Sequence, residues 1–235
     1  MPPPKIRTSA FVASLPLFNE FSAVEVERIA AGTTELHVPR GEILFSKGAA
    51  CTGFHVVVYG QVKLSFVTPM GSEKVVEILG PGASFGEALM FLDKPYIVMA
   101  QALADSFLLH VSKQVVFDEL ERDPTFARKM LAGLSRRLHR LVADVEAYSL
   151  QSGTQRVIGY LLRDDVPAAD ASESHSVTLP ASKAVVASRL NLTPEHFSRI
   201  LHELAGAGLV RVDGREVVIR DVARLRAYPG QPATL

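Results

Sequence analysis

Residues 193–204, TPEHFSRILHEL, carry the reading on which the fold turns. Thr193 is placed as an N-cap, and Pro194 stands at the first helical position, where its missing N–H costs nothing. At 100° per residue Phe197, Ile200, Leu201 and Leu204 share one side, while Glu195, Ser198, Arg199 and His202 lie roughly opposite. One face packs and the other is free to read. Upstream, ASKAVVASRL and the turn NLT supply a preceding helix. Downstream, LVRVDGREVVIRD predicts a hairpin turning at Asp213–Gly214. Two helices joined by a short turn and followed by a β-hairpin form a winged helix-turn-helix. The early turns of such a second helix enter the major groove, where Arg bonds guanine, a carboxylate accepts from cytosine N4 and Ser contacts thymine or its neighbours. Glu195, Ser198 and Arg199 bring those chemistries at i, i+3 and i+4. An E-x-x-S-R on an isolated helix would be an ordinary ion-paired face; the wing and turn change that weighting. Arg211 and Arg215 on the hairpin suit phosphate contact, or a merely solvated hairpin.

Before this end, the texture changes twice. Residues 14–31 predict a short helix with Ser22 as N-cap and Glu25 as its capping-box partner. From Leu36 to Val111, β-branched runs cut by glycine predict an antiparallel β-roll, with Val62, Leu64 and Phe66 alternating against Lys63 and Ser65. From Asp123, apolar residues recur at steps of four and three: Ala127, Leu131, Leu134, Leu138, Leu141, Val145 and Tyr148. That 3.5-residue period is a coiled-coil seam and predicts a homodimer, with packing on its own domain as the simpler option. A helix near Thr154–Leu162 leads into residues 164–176, which read as a loop. The expected organisation is α+β: a sensor domain over 1–122, a dimerisation helix over 123–150 and a DNA-binding domain over 151–235.

Composition adds exclusions. With 48% hydrophobic and 21% charged residues, the chain is that of a globular protein, and 25 basic residues balance 25 acidic ones, so any polyanion site must be local. The sequence shows neither a secretion signal nor a membrane-length apolar run, and a cytoplasmic protein is expected. A single cysteine, Cys51, excludes a disulfide framework and a four-thiolate cluster within one chain. His37, His55, His110, His139, His175, His196 and His202 are scattered with no paired metal pattern. A cupin-like metal enzyme would need converging histidines and would leave the winged end without purpose, so no enzyme is expected.

The order β-roll, long helix, winged helix-turn-helix resembles the Crp/Fnr family of bacterial transcription regulators, from about Leu15 to Ile219. PRGEILFSKG (39–48) and GASFGE (82–87) are similar to that family's β-roll glycine signatures. Glu195, Ser198 and Arg199 match its Fnr-type reading motif, which implies a TTGAT-type inverted repeat, with RNA polymerase as a further partner. In members that bind cyclic AMP, the Gly86–Glu87 pair would be followed about ten residues on by an Arg and a Ser or Thr that grip the phosphate. Here Tyr96, Ile97, Val98 and Met99 stand there, so the charge would be desolvated without a counterion and cyclic AMP is disfavoured. The N-terminal cysteine cluster of oxygen-sensing members is missing, so no iron–sulfur cluster is expected. Within the family the chain looks like the Dnr subgroup, which implies activation of denitrification genes in response to nitric oxide or low oxygen through haem. An effector pocket of Gly86, Glu87, Leu89, Tyr96, Ile97 and Val98 suits haem, another apolar molecule, or no effector. His139, beside Leu138, is the candidate metal ligand, and Cys51 is either an inert thiol or a ligand.

Overall fold

The computed structural model describes residues 9, 12, 13, 21–162 and 175–229. The chain divides into two compact units, Met1–Arg140 and Leu141–Leu235.

In the first unit, helix α1 (Ala23–Ala31) begins at Ser22, whose hydroxyl accepts from Glu25 N–H while the Glu25 carboxylate accepts from Ser22 N–H at 2.7 Å. This is the expected capping box; residues 14–20 of the expected helix lie outside the described residues. Eight strands follow: β1 (Thr33–Val38), β2 (Ile43–Phe45), β3 (Gly53–Tyr59), β4 (Val62–Val67), β5 (Glu73–Leu79), β6 (Ser84–Phe85), β7 (Met99–Ala102) and β8 (Ser106–Ser112). They form two antiparallel sheets, ordered β1-β8-β3-β6 and β2-β7-β4-β5. Because successive side chains alternate across a strand, each buried strand serves two cores. Val57, Leu108, Phe85, Val62, Leu64 and Ala100 fill the interior between the sheets. Phe54, Val56, Leu109 and Val111 point the other way, onto α1 and helix α3 (Lys113–Arg122). Glu119 of α3, 1% exposed, ties the helices together by accepting from Arg28 Nε at 2.6 Å and Arg122 Nη1 at 2.9 Å. Between β6 and β7 lies the short helix α2 (Glu87–Phe91), entered through Gly86 at φ 101°, a left-handed conformation that favours glycine.

Helix α4 runs Pro124–Leu150. Its heptad residues Leu131, Leu138, Leu141 and Val145 are 61%, 64%, 41% and 63% exposed, so one chain does not bury its own seam. Leu134 is half-buried, and the Tyr148 side chain lies outside the described residues.

The second unit contains α5 (Gly153–Leu161), β9 (His175–Thr178), α6 (Lys183–Arg189), α7 (Pro194–Gly206), β10 (Val210–Asp213), β11 (Glu216–Ile219) and α8 (Val222–Ala227). Two details correct the sequence reading. The expected loop over 164–176 ends early, since His175 and Ser176 begin β9, which pairs with β11 and makes the wing three-stranded; residues 163–174 lie outside the described residues. The short His-Ser-Val-Thr run is too polar to announce itself as a strand. The hairpin also turns one residue later than expected: Asp213 pairs with Glu216, and the turn is Gly214–Arg215, with Gly214 at φ 57°.

Candidate nucleic-acid interface and sensor interior

Helix α7 is capped as its sequence predicts, with Thr193 Oγ1 accepting from His196 N–H at 3.2 Å and Pro194 in the first turn. Phe197, Ile200, Leu201 and Leu204 are buried against the rest of the unit. The preceding turn puts Asn191 at φ 57°, a conformation asparagine tolerates better than most residues. Glu195, Ser198, Arg199 and His202 are all exposed, so the structure brings the four expected reading residues onto one free face.

Beside that face lies a groove of about 440 Å³ between α7 and the wing. Leu201, Ala205, Val210 and Val212 form its apolar part, while Lys183, His202, Arg211 and Arg220 bring nitrogen groups and no carboxylate lines it. Three fixed cations around a concave surface fit a phosphate backbone. Arg211 was expected here; Lys183 and Arg220 were missed, because only the packing of α6 and β11 beside α7 brings them to the groove. Arg215 has a second duty. Its guanidinium donates from Nε to Leu179 O at 2.9 Å and from Nη2 to Pro180 O at 3.0 Å, fastening the wing tip to the segment after β9.

In the sensor unit, Glu87 begins α2 and is buried at 3% exposure. A Cβ on Gly86 would lie 3.4 Å from Gly53 O, so the loop runs close to β3. Where a phosphate grip would stand, the Tyr96 ring stacks on Phe45, centroids 3.5 Å apart and planes 6° from parallel. Burial, then the Cys51 thiol and the Glu87 carboxylate, push the Tyr96 phenol above its ordinary range, so it stays protonated. Leu89 and Val98 pack partly buried around this interior. Ile97, expected with them, is 52% exposed and stands outside, at a bend in the chain just before β7. Cys51 Sγ lies 3.2 Å from Gly53 O, a thiol engaged with the loop's backbone. His139 is exposed on α4, and among the described residues no group of three His, Cys, Asp or Glu side chains could hold a metal ion.

One cross-strand pair escaped the sequence reading. His55 on β3 and His110 on β8 are register partners, ring centroids 4.7 Å apart. Burial and then the neighbouring His110 push His55 down to about 3.

Residues 35–123 match the cyclic nucleotide-binding domain, and residues 155–228 match the Crp-like helix-turn-helix domain. The crystal structure of DNR from Pseudomonas aeruginosa shares 33% sequence identity, covering 93% of this chain and 96% of that one, with a TM-score of 0.52. This chain belongs to the Crp/Fnr family. The CRP-like cAMP-activated global transcriptional regulator of Mycobacterium tuberculosis is 25% identical over 209 residues, 87% of this chain and 93% of that protein. FixK2 from Bradyrhizobium japonicum, 24% identical, shows the same fold at a TM-score of 0.73, covering 86% of this chain and 99% of that one. The Crp/Fnr protein described here is thus a DNA-binding transcription regulator and not an enzyme, and none of its described helices is long and apolar enough to cross a membrane.

Two outcomes follow from these geometries. Unfolded His55 titrates near 6.5 and folded His55 near 3, so between those values the unfolded chain binds the extra proton and stability falls as pH drops. At about 1.4 kcal/mol per pH unit this amounts to several kcal/mol by pH 3. Urea melts of His55→Phe should therefore lose less stability than the parent over that window; parallel pH profiles would contradict the burial argument. In the groove, Lys183→Ala, Arg211→Ala and Arg220→Ala should each weaken binding alike on specific and scrambled DNA and reduce the salt slope by about one, as measured by fluorescence anisotropy.

Proposed function

We propose that this Crp/Fnr regulator binds a TTGAT-type inverted repeat as a homodimer and does so without a cyclic nucleotide. The observation that carries the reading is the joint exposure of Glu195, Ser198 and Arg199 on a capped helix whose opposite face is buried. The exposed seam of α4 supports two copies per site, since an inverted repeat presents two equivalent half-sites one helical turn or a multiple apart. A shift in how two such helices pack would alter the separation of the reading helices, which is how an effector would switch binding. The stacked Phe45–Tyr96 pair supports independence from cyclic nucleotide, because a phosphate would be desolvated against two aromatic faces with no Arg to meet it. The proposed setting is cytoplasmic, with RNA polymerase as the machinery activated.

The Dnr-like features of the sequence, with 33% identity to DNR from Pseudomonas aeruginosa, support denitrification genes as targets and nitric oxide or low oxygen as the signal. Haem is a poor fit to the roll as it is packed: the Phe45 and Tyr96 rings occupy the interior at stacking distance, among Phe85, Leu108 and Val57. That packing favours the alternative, a different apolar small-molecule effector or none.

Arg199→Ala should cost roughly 1–3 kcal/mol on the TTGAT inverted repeat and relax preference at its G position. Gel shifts against a scrambled duplex check this, and equal losses on both duplexes would reassign Arg199 to phosphate contact.

A further inference from the structure

On the free face of α7, Glu195, Ser198 and Arg199 stand in the first two turns, and His202 stands apart from them. It follows Glu195 by two turns, roughly 10 Å further along the axis, whereas base edges are reached from the N-terminal turns of such a helix. Its ring lines the groove beside the wing, with Lys183 of α6, Arg211 of β10 and Arg220 just after β11. None of these four side chains is held by a hydrogen bond or ion pair among the described residues. The nearby carboxylates have other partners. Glu203 accepts from the Tyr228 hydroxyl at 3.1 Å, Glu216 from Ser176 Oγ at 2.6 Å, and Asp221 from Arg224 N–H at 2.8 Å. Glu195 and Asp213 are exposed and do not line the groove. Arg199, three residues before His202, adds a further positive charge to the same face. The charged groups gathered around this imidazole are therefore cations with no counterion on the described chain.

An imidazole changes charge within the physiological pH range, and only its protonated form attracts an anion. A phosphate seated among Lys183, Arg211 and Arg220 would favour that form, because an opposite charge at close range stabilises the imidazolium. We propose that His202 contacts the DNA backbone as an imidazolium, so that the regulator takes up a proton as it binds. The inference rests on the DNA-reading face of α7 described above and gives His202 a different task from its three neighbours, contact with phosphate and not with a base. The sign follows from linkage. A proton held more tightly in the complex than in the free protein strengthens binding at low pH, and that gain is lost as pH rises through the value in the complex. His175 and His196 do not line the groove, and folded His55, at about 3, stays neutral near pH 7, so none of them supplies this dependence.

Fluorescence anisotropy of the full chain at fixed low salt, at about pH 6 and about pH 8, tests this on the TTGAT inverted repeat and on a scrambled duplex. The parent should bind both duplexes roughly fivefold tighter or more at the lower pH, since one pKa unit of differential stabilisation is worth tenfold. Its salt slope should also steepen there by about one per protomer. His202→Gln should keep the parent's weaker affinity at both pH values, and His202→Lys the tighter one. His202 is exposed, so neither substitution disturbs the buried face of α7. A parent with no pH trend, His202→Gln retaining the parent's trend, or a trend confined to the TTGAT repeat would each overturn the proposal. Equal affinity for the two duplexes would instead remove the TTGAT reading, while the pH trend on either duplex still decides the role of His202.

Discussion

The 27-residue helix α4 cannot bury its own apolar stripe. Leu131, Leu138, Leu141 and Val145 recur at heptad spacing and stay more than 40% exposed. At about 25 cal/mol per Å² of apolar surface, a row of leucines left in water forfeits several kcal/mol, a large share of a domain's net stability. Covering it with an identical helix is the economical solution, because a strict 3.5-residue repeat matches a supercoiled twin and not a flat sheet. The proposed homodimer follows from this constraint, and so does a two-fold DNA site.

The sensor unit combines a glycine-framed loop beside β3 with an aromatic interior. Gly86 in the left-handed conformation and the buried Glu87 retain the loop beside β3. Tyr96 stacks on Phe45 in the interior between the sheets, beside the cross-strand pair His55 and His110. A cation-lined pocket and an aromatic interior demand opposite dielectric surroundings. The proposed independence from cyclic nucleotide rests on that packing.

Much of this was legible in the residues. Ser22 with Glu25 and Thr193 with Pro194 are local signals, each fixed by atoms within three positions, and both appear in the structure as read. The face of α7 followed from helical periodicity alone. What escaped the reading is non-local. Pairing His55 with His110 requires the register of β3 against β8, across 55 positions, which no spacing rule supplies. Lys183 and Arg220 reach the groove only through packing of separate elements. Ile97 was assigned to the pocket by position in the chain, and the bend at residues 97 and 98 leaves it outside. The strand His175–Thr178 hides because its partner β11, not its own composition, makes it a strand.

The central claim is that two copies joined along α4 present two reading helices to DNA. Light scattering on Leu138→Glu, with the same sample titrated onto the TTGAT inverted repeat, tests it most directly. A buried like-charge pair at the seam should leave a monomer, and operator binding should fall with it to the level of scrambled DNA. A variant that remains dimeric and still binds the repeat as tightly as the parent would contradict the account.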